Sequence, residues 1–261
     1  MAGFDWITLT TDYGLSDGFA GVLHGVIAGQ APWVRVIDIT HQIPPGDVSR
    51  GSALLAQAVG YFPPAVHVGV VDPGVGTARR AVAVETPRGL LVGPDNGLLP
   101  AAADALGGAL SVVRLTERSW FLPEVSHTFH GRDVFAPVAA RLAAGVPLAG
   151  AGPAVDPAGL VRLPEPVVQL GDGYLEAEVL TVDRYGNVQL AASGTALDGL
   201  GPHLLVGGVR AQRAATFADA QPGQLMVYVD SAGKVAVAVN GGRAVVALAV
   251  TPGDVLRVST A

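Results

Sequence analysis

The sequence predicts an N-terminal α/β domain with a mainly parallel sheet, followed by a smaller all-β domain. Three observations carry this. Strand and helix patterns alternate through the first half, the order expected of a layered α/β structure. After a stretch at Leu160–Val168 that holds Pro164 and Pro166, only short strands follow. Apolar residues make up 50% of the 261 residues and charged residues 15%, the opposite of a disordered profile. The expected domains are 1–163 and 164–261.

The elements can be justified in order. Trp6–Thr11 alternates as a strand and runs into a polar loop. Phe19, Val22, Leu23, Val26 and Ile27 then follow helical spacing. Val34–Thr40 reads as a strand and Asp47–Val59 as a helix. Val66–Val71 is almost wholly apolar, the mark of a strand buried on both faces. Ala81–Glu85 and Gly89–Val92 flank a tight connection at Thr86-Pro87-Arg88. Leu98–Leu106 and Val134–Ala144 read as helices. In the second half, strands are expected at Leu175–Val182, Val188–Leu190, His203–Val209, Leu225–Val229, Val235–Val239, Ala244–Val250 and Val255–Ser259. The 35 glycines and 19 prolines fit many tight turns, and a small barrel or sandwich accommodates them.

Composition excludes several chemistries. No cysteine is present, which removes disulfides, thiolate nucleophiles and cysteine-ligated metals. Lys234 is the single lysine and lies in a turn, so neither a Schiff base nor a phosphate-loop lysine is expected. A net charge of -6 without a basic run argues against nucleic acid. No apolar stretch reaches the ~18–20 residues of a membrane span. No lysine or arginine precedes Arg35, which argues against a secretory leader and leaves the cytoplasm as the default.

Four polar clusters fall at strand ends, where α/β sheets bind ligands. They are Asp12 to Asp17, Asp72 to Arg79, Pro94-Asp95-Asn96-Gly97 and Phe129-His130-Gly131-Arg132-Asp133. Each also has a plain structural explanation. Asp17 or Ser16 can cap a helix, Asp72 can anchor a turn, and Asn96 suits a turn in its own right. Asp133 can cap or pair with Arg132. His127 and His130 lack a third partner for zinc, and Gly74-x-Gly76 is too short for a dinucleotide fingerprint. The coincidence of four clusters is what points to a crevice.

Thr10-Thr11-Asp12-Tyr13-Gly14-x-x-Asp17, Val71-Asp72-Pro73-Gly74-Val75-Gly76, Gly93 to Leu99, Thr128 to Asp133, Asp183-Arg184-Tyr185-Gly186-Asn187 and Thr216-Phe217-Ala218-Asp219 resemble the S-adenosylmethionine hydroxide adenosyltransferases. That family is related to fluorinases and chlorinases. The resemblance spans nearly the whole chain. It implies a C-terminal β-barrel and a homotrimer with the ligand at the subunit interface, between the N-domain of one subunit and the C-domain of the next. It further implies S-adenosylmethionine as the small-molecule substrate, no cofactor and no metal.

By the same resemblance Asp72, Arg79 and His130 form the catalytic set. Asp12 would hold the ribose hydroxyls and Asp17 the methionine ammonium. Asn187 and Asp183 would recognise nucleoside and amino acid, and Phe217 would pack on adenine. Ser231 and the segment from Asn240 to Gly242 would read the methionine and adenine ends. Asn96 is placed with the substrate-binding residues. Halogenase relatives carry an arginine at Ala232, a tyrosine at Asp72, a serine at Gly131 and a long loop at Thr86–Gly89. The latter three differences point to water as the nucleophile in place of halide. The expected reaction is attack of water at C5′, giving adenosine and methionine. The alternatives are a halide-dependent lyase, a binding module without turnover, and a metal-dependent hydrolase using Asp12, Asp72, Asp95 and His130.

Overall fold

The structure, a computed structural model, describes residues 3–261. The chain divides into two units, one ending at Leu163 and the other beginning at Pro164.

The first unit has the predicted α/β order. It runs β1 (Trp6–Thr11), α1 (Phe19–Gln30), β2 (Arg35–Thr40), α2 (Val48–Val59), β3 (Ala65–Val70), β4 (Ala81–Thr86), β5 (Gly89–Pro94), α3 (Pro100–Ala105), β6 (Ser111–Arg114), α4 (Ala136–Ala143) and β7 (Ala154–Val155). The sheet order is β2-β1-β3-β5-β4-β6-β7. The pairs β2–β1, β1–β3 and β3–β5 are parallel, and β4, β6 and β7 continue the sheet with antiparallel pairings.

Helices cover both faces. Leu23 and Ile27 of α1 share one core with Val138 and Leu142 of α4 and with Ile7, Leu9, Val66 and Val68 of the sheet. Leu55 and Val59 of α2 share another with Ala102 and Ala103 of α3 and with Val82, Val84 and Leu91. Every residue of β3 and β5 is consequently buried, which explains why β3 reads as an almost wholly apolar run. Polar side chains in this layer need internal partners, and His67 Nδ1 lies 2.8 Å from Thr8 Oγ1. Asp47 caps α2 by accepting from the Arg50 amide at 2.9 Å.

Two strands here escape sequence reading, β6 and β7. With four and two residues, neither is long enough for period-two alternation to register.

The second unit comprises β8 (Val168–Gly171), β9 (Tyr174–Val182), β10 (Val188–Ser193), β11 (His203–Val206), β12 (Val209–Arg213), β13 (Leu225–Val229), β14 (Lys234–Val239), α5 (Ala244–Leu248) and β15 (Val255–Thr260). Its sheet order is β10-β14-β13-β12-β11-β15-β9-β8, and a further β9–β10 pairing closes seven strands into a barrel. Leu175, Ala177 and Val179 alternate inward from β9 and meet Leu204, Val227, Val237 and Val258 in the core.

Two expectations are corrected. The single strand expected at His203–Val209 ends at Val206 as β11; Gly207 and Gly208, whose φ values of 54° and 84° suit a two-residue turn, lead into β12, most of which lies beyond the expected range. The strand expected at Ala244–Val250 is the short helix α5, ended by Ala249 in the left-handed region at φ 52°. A continuous apolar run cannot by itself separate strand from helix. Only Ala244 of that helix is fully buried, so the run marks no core strand.

Candidate active site

The site grows from the ends of β1 and β3. After β3 the chain turns through Asp72 to Arg79, held by the Val75 amide on the Asp72 carbonyl and by Thr77 Oγ1 on the Gly74 carbonyl. Gly76 has φ 77°, and a Cβ there would overlap the His127 carbonyl. This turn points two side chains at one another across seven residues. Arg79 Nε donates to both Asp72 oxygens at 3.0 Å, and Nη2 donates to Oδ2 at 2.5 Å. The side chains retain only 11% and 5% of their exposure, so the pair is shielded from water.

Arg79 Nη2 also lies 2.7 Å from His130 Nδ1. Guanidinium has no acceptor, so Nδ1 must accept and a neutral His130 carries its proton on Nε2. Burial first, and then the Arg79 charge, hold the His130 pKa below the usual imidazole range, against the opposing pull of Asp72 and Asp133. His130 is thus neutral at pH 7. It sits at the entry to a π-turn, Gly131–Phe135, that leads into α4. Asp133 steadies this turn by accepting from Ser126 N and Oγ and from Arg132 Nε. Burial raises the Asp133 pKa, but those hydrogen bonds outweigh it and the net shift is downward.

Asp12, Tyr13, Asp72, His130 and Gly131 line one cavity of about 220 Å³. Asp12 Oδ2 accepts from the Gly46 amide at 2.9 Å. Arg79 and His130 also face a second cavity, of about 330 Å³, together with Arg114 and His127. Sequence reading gave Tyr13 no role. Its ring packs against both Phe19 and Phe129, at centroid distances of 6.0 and 5.5 Å, and those two rings touch each other at 5.2 Å. Burial, followed by the Asp12 and Asp72 carboxylates, raises the Tyr13 pKa well above the usual phenol value, while its hydrogen bond with the Gly131 backbone opposes the shift. The phenol therefore stays neutral. A Cβ on Gly131 would overlap the Tyr13 hydroxyl. The signal was Tyr13's place inside the Asp12 motif, but its partner lies too far along the chain for spacing to show.

The other predicted residues of this unit fare differently. Asp17 does not cap α1, whose N-cap is Gly18 without a side-chain bond; it stands exposed in the loop after β1. Asn96 donates to the Val71 carbonyl at 2.8 Å and accepts from the Leu98 amide at 3.2 Å. It thereby pins the residue before Asp72, and both ends of its amide are engaged.

The remaining predicted residues lie in the barrel unit. Asp183 and Asn187 form the β9–β10 turn, where Asn187 N and Nδ2 donate to the Asp183 carboxylate at 2.9 and 2.7 Å. Phe217 opens a short 3₁₀ turn, with its ring 45% exposed and 5.5 Å from Tyr228. Burial, then Asp183 and Asp230, raise the Tyr228 pKa. Ser231 is exposed in the β13–β14 turn. Asn240 gives its Nδ2 to the Ala220 carbonyl at 2.7 Å and so supports the segment that carries Phe217.

Two family models match this chain: the SAM hydroxide adenosyltransferase N-terminal domain over residues 7–152 and its C-terminal domain over residues 177–257. A protein of Salinispora arenicola named (R)-S-adenosyl-L-methionine hydrolase is 64% identical, over 99% of each chain. A fluorinase of Actinoplanes sp. is 27% identical, over 90% of each chain. The crystal structure of an uncharacterized conserved protein from Thermotoga maritima superposes with a TM-score of 0.90 at 35% identity, covering 97% of this chain and 99% of that one. With both domain models matched in order and a relative this similar along its full length, the chain belongs to the SAM hydroxide adenosyltransferase family.

Proposed function

We propose that this chain hydrolyses S-adenosyl-L-methionine to adenosine and L-methionine by in-line attack of water at C5′. The observation that carries the mechanism is the Asp72–Arg79–His130 contact set beside the cavity that Asp12 also lines. The 64% identity to a hydrolase against 27% to a fluorinase supports water over halide.

The sulfonium is already a good leaving group, so the difficulty lies with the nucleophile. Arg79 Nη2 engages His130 Nδ1, so the neutral ring acts on the water as a donor through Nε2–H, and the Asp72 carboxylate is the acceptor for the water proton. The oxygen–C5′ bond forms as the C5′–sulfur bond breaks. The sulfonium takes the electron pair and becomes the methionine thioether, and the proton passes to Asp72 and then to solvent. Hydroxide-like attack on a cation cancels charge, which a shielded pocket favours more strongly than water does. Fixing the water opposite sulfur contributes the orientation term.

Asp12 takes the ribose hydroxyls, Asp17 the ammonium group, and Asn96 holds the turn before Asp72. Asp183, Asn187, Phe217, Ser231 and Asn240 serve nucleoside and amino-acid recognition. Exposure of Phe19 and Phe217, both 45%, leaves aromatic surface for ligand or neighbouring subunit, which supports a homotrimer with the active site at the subunit interface. The reaction uses no cofactor and no metal and takes place in the cytoplasm. Among the described residues no helix is long and apolar enough to cross a membrane.

The test is incubation of purified protein with each sulfonium epimer of the substrate in halide-free buffer with chelator, with and without added chloride. Adenosine and methionine in the halide-free arm support the proposal. A chlorinated nucleoside formed only with chloride, activity lost on chelation, or tight binding without product would each contradict it.

A further inference from the structure

We infer that His24, Asp38 and His41 form a binding site for a divalent transition metal of the zinc class. Among the described residues they are the group of three whose ligand atoms lie within 4.8 Å of one another. His24 projects from α1, Asp38 from β2, and His41 follows the end of β2. His24 Nε2 is 2.8 Å and His41 Nε2 3.0 Å from the same atom, Asp38 Oδ1. None of the three lines the cavity formed by Asp12, Asp72 and His130.

The decisive residue is His41. Its side chain is 1% exposed, yet its Nε2 makes no hydrogen bond despite the 3.0 Å approach to Asp38. The ring nitrogen does not aim at that oxygen, so a proton between them does not satisfy it. A buried ring nitrogen without a partner is costly, and an ion shared with Asp38 and His24 would supply one. The opposite nitrogen is held as a metal ligand's usually is. His41 Nδ1 lies 2.8 Å from Thr11 Oγ1, which also accepts the Tyr13 amide at 3.1 Å. Donation from Nδ1 to that hydroxyl leaves the Nε2 lone pair free for a metal.

Two imidazoles and one carboxylate suit zinc and its neighbours better than magnesium or calcium, which take oxygen ligands, or copper(I), which takes sulfur. The other two side chains, His24 and Asp38, are 38% and 39% exposed, which leaves a side open for water in a fourth position. An ion here would clamp α1 to the end of β2. It would also fix His41, whose carbonyl accepts the Gly14 amide at 2.7 Å in the loop that carries Asp12. The ion's role is thus to steady that loop, outside the reacting centre: its removal lowers the melting temperature and leaves turnover in place, and the inference does not depend on the reaction proposed above.

The experiment uses untagged, chelator-stripped protein titrated with zinc by calorimetry and with cobalt(II) by visible absorption. Wild type takes up one equivalent of each, and zinc but not magnesium raises the melting temperature. His24→Ala changes a partly exposed helix position and is expected to fold with an unchanged melting temperature in chelator. It weakens zinc binding roughly tenfold or more and removes the cobalt spectrum. Asp38→Asn does the same, whereas His127→Ala binds as wild type. No stoichiometric binding by wild type, or undiminished binding by His24→Ala, would overturn the inference.

Discussion

Replacing Arg79 by lysine keeps the positive charge and removes the fork. In the native chain one guanidinium reaches both oxygens of Asp72 and, 2.7 Å away, Nδ1 of His130. A single ammonium cannot span these partners, so at least two charge-assisted hydrogen bonds are lost. At about 1.5–3 kcal/mol each, the loss is about 3–6 kcal/mol if fully expressed in the transition state. That corresponds to a fall in kcat/KM on the order of 10²–10⁴. A second readout separates this role from a merely structural one. After burial, the Arg79 charge is the next largest influence holding the His130 pKa down. Lysine keeps a charge but, being shorter, holds it farther from Nδ1 than the 2.7 Å guanidinium contact, so the acid limb of the pH–rate profile moves part of the way up toward 6.5, the ordinary imidazole value. Adenosine formation followed from pH 4 to 9, with melting temperature as the folding control, measures both. Unchanged kcat/KM and an unmoved acid limb in a folded variant would refute the reasoning.

Three more outcomes follow from named contacts. Gly131→Ala places a Cβ against the Tyr13 hydroxyl while Phe19 and Phe129 block the ring's retreat, so stability falls by about 1–3 kcal/mol in urea unfolding. Fully buried His67 has its pKa lowered to about 4 by burial. Its folded value is depressed, so its stabilisation is complete above 6.5 and is lost as pH falls toward 4. His67→Asn should therefore flatten the stability–pH curve in that window by about 3 kcal/mol relative to wild type. Phe217→Ala raises KM roughly tenfold with kcat little changed, in line with the ~1–3 kcal/mol that stacking on a base contributes; an unaltered KM would remove Phe217 from the substrate site.

What the sequence disclosed depends on how local each signal is. The run at β3 reads as a doubly covered strand because every residue in it is buried. Gly207-Gly208 is a hairpin signal inside what otherwise passes for one strand, and the ring of pairings that closes the barrel lies beyond any single window. Ala244–Leu248 reads as a strand because a short apolar run carries no period of its own, and the structure makes it a one-turn helix that sets Ala244, Val245 and Leu248 against the barrel core. At the site, Asp72 and Arg79 sit on one turn, but nothing local aims them at His130. Only the resemblance joined those three, whereas the structure adds the tautomer that Arg79 imposes on the ring. Tyr13 with Gly131, and His24 with Asp38 and His41, stayed hidden because each set meets through tertiary packing.

The most direct test of the mechanism is hydrolysis in ¹⁸O-water, halide-free and with chelator, followed by mass spectrometry of the nucleoside. A solvent molecule attacking C5′ puts one ¹⁸O into the 5′-hydroxyl of adenosine and none into methionine. Adenosine without the label, or a nucleoside product lacking the 5′-hydroxyl, would contradict it.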